Sequence, residues 1–342
     1  MLDTFARFIY LTIKIFRERN MRNLARGVCF ALCISAAPIY SAPATAQNWP
    51  GSLVKIVVPF PPGGPTDVVA RLLSQKLAQQ IGKTVIVENK PGADGNLGAM
   101  YVAQSPPDGN TLLFVVPAII TNKFFQKNAA DVSGELQPVI VLNRVPNVLL
   151  VKPGLNVSSV EELAKLAQSK DADVSCASSG SLPTMGCELF KARTKANIIM
   201  VRYKGNGPAL AALSGGEVSM IFDVANTAAE AVKTGRAKAL ATTNNEPMTG
   251  TFANLPMMKD KYEGFDLVSW QGLMVPRATP ASVVDAANAA LNEVLKDTEI
   301  RKAFDNASLI PVGGPAAQFA KLMADDDKKY SAVVKDAGIQ PE

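Results

Sequence analysis

Two turns concentrate the groups with chemical potential. The first is Pro59-Phe60-Pro61-Pro62-Gly63-Gly64-Pro65-Thr66-Asp67, and the second is Ser178-Ser179-Gly180-Ser181 with Thr184 close behind. Glycine lets a ligand approach the backbone, and the free N–H groups at a helix start favour an anion. Either turn alone equally suits an ordinary strand-to-helix connection, in which Ser, Thr or Asp caps the helix. Two anion-friendly helix starts in one chain say more together than either does alone. Tyr203-Lys204-Gly205 adds a ring and a cation, and Asn147 and Asp223 stand at strand ends as further polar candidates.

The residue types exclude much other chemistry. The chain has no histidine, so it holds no Ser-His-Asp or Cys-His catalysis, no H-E-x-x-H zinc site and no imidazole acid/base. There is no G-x-x-x-x-G-K-[ST] phosphate loop and no G-x-S-x-G nucleophile elbow. Gly92-x-x-Gly95-x-x-Gly98 has the wrong spacing for a dinucleotide fingerprint, and Asp94 and Asn96 within it suit local turns. Asp67, Asp108 and Asp223 are scattered without metal-ligand spacing. No catalytic residue, metal or cofactor is expected, and an exported hydrolase is the weakest reading. Trp49 and Trp270 read as packing residues.

Charge narrows the partners. The 342 residues carry 35 Lys plus Arg against 30 Asp plus Glu, a formal +5. Six of the basic residues and two of the acids fall in residues 1–46, so the remainder is nearly neutral and no nucleic-acid partner is implied. From Met21 the pattern is that of a secretory signal: Arg22 and Arg26, an apolar run from Val28 to Ala37, then Ala44-Thr45-Ala46. Cleavage after Ala46 starts the mature chain at Gln47. The apolar run is short for a membrane span, the alternative being an uncleaved anchor. Residues 1–20 precede a complete signal, so Met21 competes with Met1 as the start. Neither Cys29 nor Cys33 follows the small residue a lipoprotein signal needs. Cys176 and Cys187 remain after cleavage; in an exported protein they either pair or sit as two small buried apolar residues.

The elements that must position these groups alternate strand and helix. Leu53–Phe60 reads as a buried strand, and Thr66 or Asp67 caps a helix running to Ile81. Thr84–Glu88 is a strand, a helix follows the 91–95 loop to about Gln104, and Thr111–Val116 is a third strand. A second block opens with the strand Val148–Val151. The capping box at Ser159-Val160-Glu161-Glu162 starts a helix to Gln168. Strands at 173–177, 198–203, 218–223 and 237–242 alternate with helices at 184–195, 208–213 and 227–234. Phe265–Val275 reads as a strand returning to the first block, and helices follow at 282–296, 298–306 and 315–335. This order predicts an α/β fold of two lobes, each a mainly parallel sheet flanked by helices. Ligands of such sheets bind beyond the carboxyl ends of the strands. The loops of interest are therefore 59–67, 91–96, 117–122, 178–184, 204–207 and 223–227.

Ile56-Val57-Val58-Pro59-Phe60-Pro61-Pro62-Gly63-Gly64-Pro65-Thr66-Asp67 resembles the signature of Bug-type periplasmic solute-binding receptors of the tripartite tricarboxylate transporter family. The likeness continues through Val87-Glu88-Asn89-Lys90-Pro91-Gly92-Ala93, Pro107-Asp108-Gly109-Asn110-Thr111-Leu112-Leu113 and Val145-Pro146-Asn147. It returns at Tyr203-Lys204-Gly205, Gly215-Gly216-Glu217-Val218, Phe222-Asp223 and Ser269-Trp270-Gln271-Gly272-Leu273. The resemblance implies a two-lobed Venus-flytrap fold, with 47–147 and 271–342 in one lobe and 148–270 in the other. It implies a monomeric periplasmic receptor, not an enzyme, that captures a small organic carboxylate and hands it to membrane permease subunits. A sensor that reports to a kinase is the alternative. The implied ligand residues are Phe60, Gly63, Gly64, Thr66, Asp67, Asn147, Ser178, Ser179, Gly180, Ser181, Thr184, Tyr203 and Asp223. The chain departs from its relatives where many carry His-Leu-Ala-Gly-Glu-Leu-Phe. Here the run is Thr184-Met185-Gly186-Cys187-Glu188-Leu189-Phe190, so Thr184 stands at the place of the usual histidine.

Overall fold

The computed structural model describes residues 49–127, 131–169, 173–248 and 250–340. The signal segment, the cleavage site and the alternative starts lie outside the described residues. The strands are β1 (Leu53–Val58), β2 (Thr84–Asn89), β3 (Thr111–Val115), β4 (Leu136–Val145), β5 (Asn147–Val151), β6 (Val174–Ser178), β7 (Ile198–Arg202), β8 (Met220–Val224), β9 (Lys238–Thr242), β10 (Ser269–Pro276) and β11 (Ile310–Pro311). The helices are α1 (Pro65–Ile81), α2 (Asn96–Ala103), α3 (Ala118–Phe125), α4 (Val160–Gln168), α5 (Ser181–Thr194), α6 (Asn206–Gly215), α7 (Ala225–Lys233), α8 (Ala281–Val294), α9 (Thr298–Asn306) and α10 (Ala316–Ala337).

The strands form two sheets, ordered β11-β4-β10-β3-β1-β2 and β7-β6-β8-β5-β9. The α/β class and the two-sheet architecture agree with the sequence reading, but the sheets are mixed. In the first sheet β1 pairs parallel with β2 and β3, while β10 is antiparallel to β3 and β4. In the second, β6 is parallel to β7 and β8, while β5 is antiparallel to β8 and β9. The antiparallel partners are the strands that carry the chain from one sheet to the other. β4 passes directly into β5, and β10 brings the chain back. A returning strand runs opposite to the βαβ strands it joins.

Several element boundaries differ from expectation. β4 was not anticipated, because Pro138 interrupts its apolar run; the strand tolerates it where β11 does not reach, since β11 pairs only with Arg144 and Asn143. The return strand starts at Ser269, not Phe265. Residues 265–268 form the crossing, where the Leu267 carbonyl accepts from Asn147 Nδ2 (2.9 Å) and Thr243 Oγ1 (2.7 Å) instead of from a ladder. α1 is capped by Gly64 with Pro65 in its first turn, not by Thr66 or Asp67. α5 begins at Ser181 because Pro183 is tolerated in a first turn, which needs no N–H there. Ser159 caps the helix as read, accepting from the Glu162 N–H at 3.1 Å, while the Glu162 carboxylate reaches back one residue further, to the Ser158 N–H (2.7 Å).

Apolar clusters cover the outer faces of both sheets, and a third runs through the junction between them. In that junction Phe222 stacks on Phe265 at 5.7 Å and Trp270 meets Phe319 edge-on at 5.1 Å. Trp270 Nε1 donates to the buried Asp326 of α10 (2.8 Å). α10 also reaches α5 through Arg193 and Asp336 (3.3 Å). The crossings are thereby anchored at one side of the molecule, leaving the carboxyl ends of the parallel strands to line an opening.

Candidate functional site

A cavity of about 680 Å3 lies at those strand ends. The first sheet contributes Phe60 after β1, Val116 and Pro117 after β3, and Phe125 and Gln126 at the end of α3. Asp94, from the turn between β2 and α2, lies on the same wall. Ser269 joins them because β10, being antiparallel, begins where its neighbours end. The second sheet contributes Ser178 to Leu182, Thr184, and the run Arg202 to Asn206.

The second-sheet wall is built from two helix starts side by side. Ser178 pairs with Arg202 at the ends of β6 and β7, and the Tyr203 N–H donates to the Ser178 carbonyl (2.8 Å), so the ladder runs one step past the strands. Gly180 caps α5 and Gly205 caps α6, with φ of 157° and 98°, and neither helix has a side-chain cap. A Cβ at either glycine would meet nothing within 4 Å, so the backbone conformation, not crowding, calls for glycine. First-turn N–H groups without a side-chain acceptor are available to an anion, and the helix dipoles favour one.

The hydroxyls of the turn bond to one another and to their neighbours. Thr184 Oγ1 donates to the Gly180 carbonyl (2.7 Å) and shares a close contact with Ser178 Oγ. A hydroxyl has one proton, so Ser178 is the donor in that pair. Ser179 Oγ donates to Asn206 Oδ1 (3.0 Å). Three of these O–H groups thus fix the turn from within. Asn206 Nδ2 donates in turn to Asp223, whose carboxylate also accepts from the Val224 N–H (2.9 Å) and Thr227 Oγ1 (2.7 Å). Burial pushes the Asp223 carboxyl up to about 6, against the pull of these uncharged donors. Asp223 therefore braces the wall from behind.

Cys176 and Cys187 are joined by a disulfide, Cα–Cα 6.1 Å, that ties β6 to α5 and brackets the 178–184 turn. Gly186 completes the seat of α5: a Cβ there would lie 2.7 Å from the Phe222 ring.

The first-sheet turn is closed on itself. Asp67 is buried and accepts from Arg71 Nε (2.8 Å), the Gly63 N–H (2.9 Å) and Asn89 Nδ2 (2.8 Å). The hydrogen bond from Arg71 is the largest influence and holds the carboxyl down at about 2, although burial opposes it. Asn89 Nδ2 also donates to the Phe60 carbonyl (3.1 Å), so this knot positions Phe60. Gly63, Gly64, Thr66 and Asp67 do not line the cavity, nor do Asn147 and Asp223. Asn147 fixes the crossing through Leu267. Among the expected residues, Phe60, Ser178, Ser179, Gly180, Ser181, Thr184 and Tyr203 come together there.

Arg202, Phe125, Gln126 and Ser269 were missed. Arg202 follows from register, being opposite Ser178; Phe125 and Gln126 end a helix the apolar pattern did not disclose. Among the described residues no helix is long and apolar enough to cross a membrane, and no cluster of three metal-ligating side chains occurs.

This arrangement of two mixed α/β sheets around one cavity matches known proteins. Residues 69–339 match the tripartite tricarboxylate transporter family receptor, and the chain belongs to that family. It is a family of receptors, not of enzymes. The chain is 32% identical to Protein BugT of Bordetella pertussis, covering 94% of this chain and 99% of that one. Among solved structures it is similar to R. palustris Rpa4515 with adipate (TM-score 0.78, 31% identity, 86% of this chain and 100% of that one). It is also similar to MatC from Rhodopseudomonas palustris with bound malate (TM-score 0.72, 29% identity, 84% and 100%).

Proposed function

We infer that this chain is a periplasmic receptor that binds a small organic carboxylate in the cavity and delivers it to the membrane subunits of a tripartite transporter. The observation that carries the reading is the pair of adjacent helix starts, α5 and α6, capped by glycine and opening on one cavity. Family membership and the adipate and malate bound by similar proteins support it. The cavity volume falls in the range of small-molecule sites, about 300–1,000 Å3.

The mechanism is binding. A carboxylate on the first turns of α5 and α6 meets N–H groups that are already oriented, so little ordering is required. Phe60 and its neighbours on the first sheet cover the rest of the ligand. A ligand that touches both walls favours the state in which they approach, and the permease reads that state. Export after removal of residues 1–46 places the receptor where such a permease can be met.

A thermal-shift titration of the purified protein with carboxylates tests the reading. A true ligand at a hundred times its Kd stabilises the fold by about 2.7 kcal/mol. Stabilisation by none of them contradicts it. Association with the permease is tested by reconstituting uptake with the cognate membrane subunits; uptake that does not depend on the receptor removes the delivery step.

A further inference from the structure

We propose that the cavity selects a carboxylate with a single acidic group and an apolar or aromatic body, and that Asp94 is the residue that rejects a second carboxylate. This rests on the carboxylate reading above and deepens it. The two walls differ in charge. The second-sheet wall holds both helix starts and the cations Arg202 and Lys204. The first-sheet wall holds Phe60, Val116, Pro117, Ala118 and Phe125, with Asp94 as its one acidic group among the described lining residues.

Asp94 is not placed there by chance of a mobile side chain. Its backbone is left-handed, φ 48°, in the short helical turn Ala93–Gly95. Asn122 Nδ2 of α3 donates to its carbonyl (3.1 Å), and Gln126 Nε2 donates to its carboxylate (2.5 Å). Asn122 is buried and also bonds Asn96 at the start of α2 (3.3 Å). Asn122 of α3 thus holds the Asp94 backbone, and Gln126 just after α3 holds its exposed carboxylate, on the cavity wall.

A ligand lying across the cavity with its acid on α5 and α6 presents its far end to this wall. An alkyl or aryl body buries apolar surface against Phe60 and Phe125. A second carboxylate meets Asp94, and bringing like charges together disfavours that ligand. Rejection by a repulsive group is a common way to discriminate between ligands that share one end.

Isothermal titration of the full mature chain with phenylacetate and hexanoate against malate and adipate tests the proposal. The wild type is expected to bind the better monocarboxylate at least about tenfold more tightly than either dicarboxylate. Asp94→Asn keeps a residue suited to the left-handed backbone and is expected to shrink that preference at least about fivefold, by tightening the dicarboxylates. Equal or tighter dicarboxylate binding by the wild type overturns the proposal, whatever the variant does. A variant that folds, by its circular dichroism, yet weakens all four ligands alike also overturns it, since Asp94 then closes the cavity instead of selecting. Binding of none of the four, or of any carboxylate in a wider panel, overturns the carboxylate reading itself.

Discussion

Each sheet places one buried aspartate at a strand-to-helix turn, and the two do opposite things. Asp67 pairs with a cation, Arg71, and closes its own turn through Gly63 and Asn89. Asp223 has an amide, a hydroxyl and a backbone N–H as donors, and holds Asn206, which in turn holds Ser179. One carboxyl is drawn down to about 2 and the other pushed up to about 6. The difference lies in what each turn does with its own polar side chains. The first-sheet turn spends its polar groups on itself and presents Phe60. The second spends its hydroxyls on bonds within itself and to Asn206, and both of its helices start at a glycine without a side-chain cap.

Four experiments break or sharpen this contrast. The largest effect is expected from Cys176→Ala with Cys187→Ala, because only the second-sheet turn is bracketed covalently. Calorimetric unfolding should show a loss of about 3 kcal/mol, the usual scale for a native disulfide over a loop of this length. A loss within error would mean that β6 and α5 hold the turn unaided. Next, Asp67→Ala leaves the Gly63 N–H and the Asn89 amide without their acceptor and should cost about 1–3 kcal/mol in denaturant unfolding. Its effect on ligand affinity should come only through Phe60, and a larger loss of affinity than of stability would place this turn in direct ligand contact.

Asn206→Ala reverses that weighting. It cuts the chain from Asp223 to Ser179 at the start of α6, so calorimetric affinity should fall about five- to tenfold while stability changes by about 1 kcal/mol. The smallest effects are the pH slopes, which have opposite signs. Asp67 stabilises the fold fully above its ordinary 3.8, and this is lost as pH falls from 3.8 towards 2. Asp223 keeps its proton longer in the folded state, so its contribution is greatest below 3.8 and is lost as pH rises from 3.8 to about 6. Asp67→Asn should flatten the acid limb of a stability profile and Asp223→Asn the limb between pH 4 and 6. Like-signed changes would break the comparison.

The sequence disclosed the βαβ order and the strand-end loops, because buried parallel strands read as continuous apolar runs. β4 was hidden by Pro138, and the crossing at 265–268 looked like strand because Phe265 and Leu267 are buried for a different reason, packing between the sheets. At the site, Ser178–Thr184 and Tyr203 were legible from glycine and hydroxyl content next to strand ends. Asp67 and Asp223 were legible as important but not as to role, since a carboxylate's partners, Arg71 and Asn89 or Asn206 and Thr227, are set by tertiary contacts. Thr184 was legible as a hydroxyl next to a glycine turn, but the inward turn of that hydroxyl to Gly180 was not. Arg202 needed the β6–β7 register to be placed at all.

A crystal structure of the protein with a bound carboxylate tests the central claim most directly. The acid group is expected on the first turns of α5 and α6, beside Ser179 and Tyr203, with the body of the ligand against Phe60. An acid group seated on Gly63, Gly64 and Thr66, with no contact to residues 178–184, would contradict the assignment of the two walls.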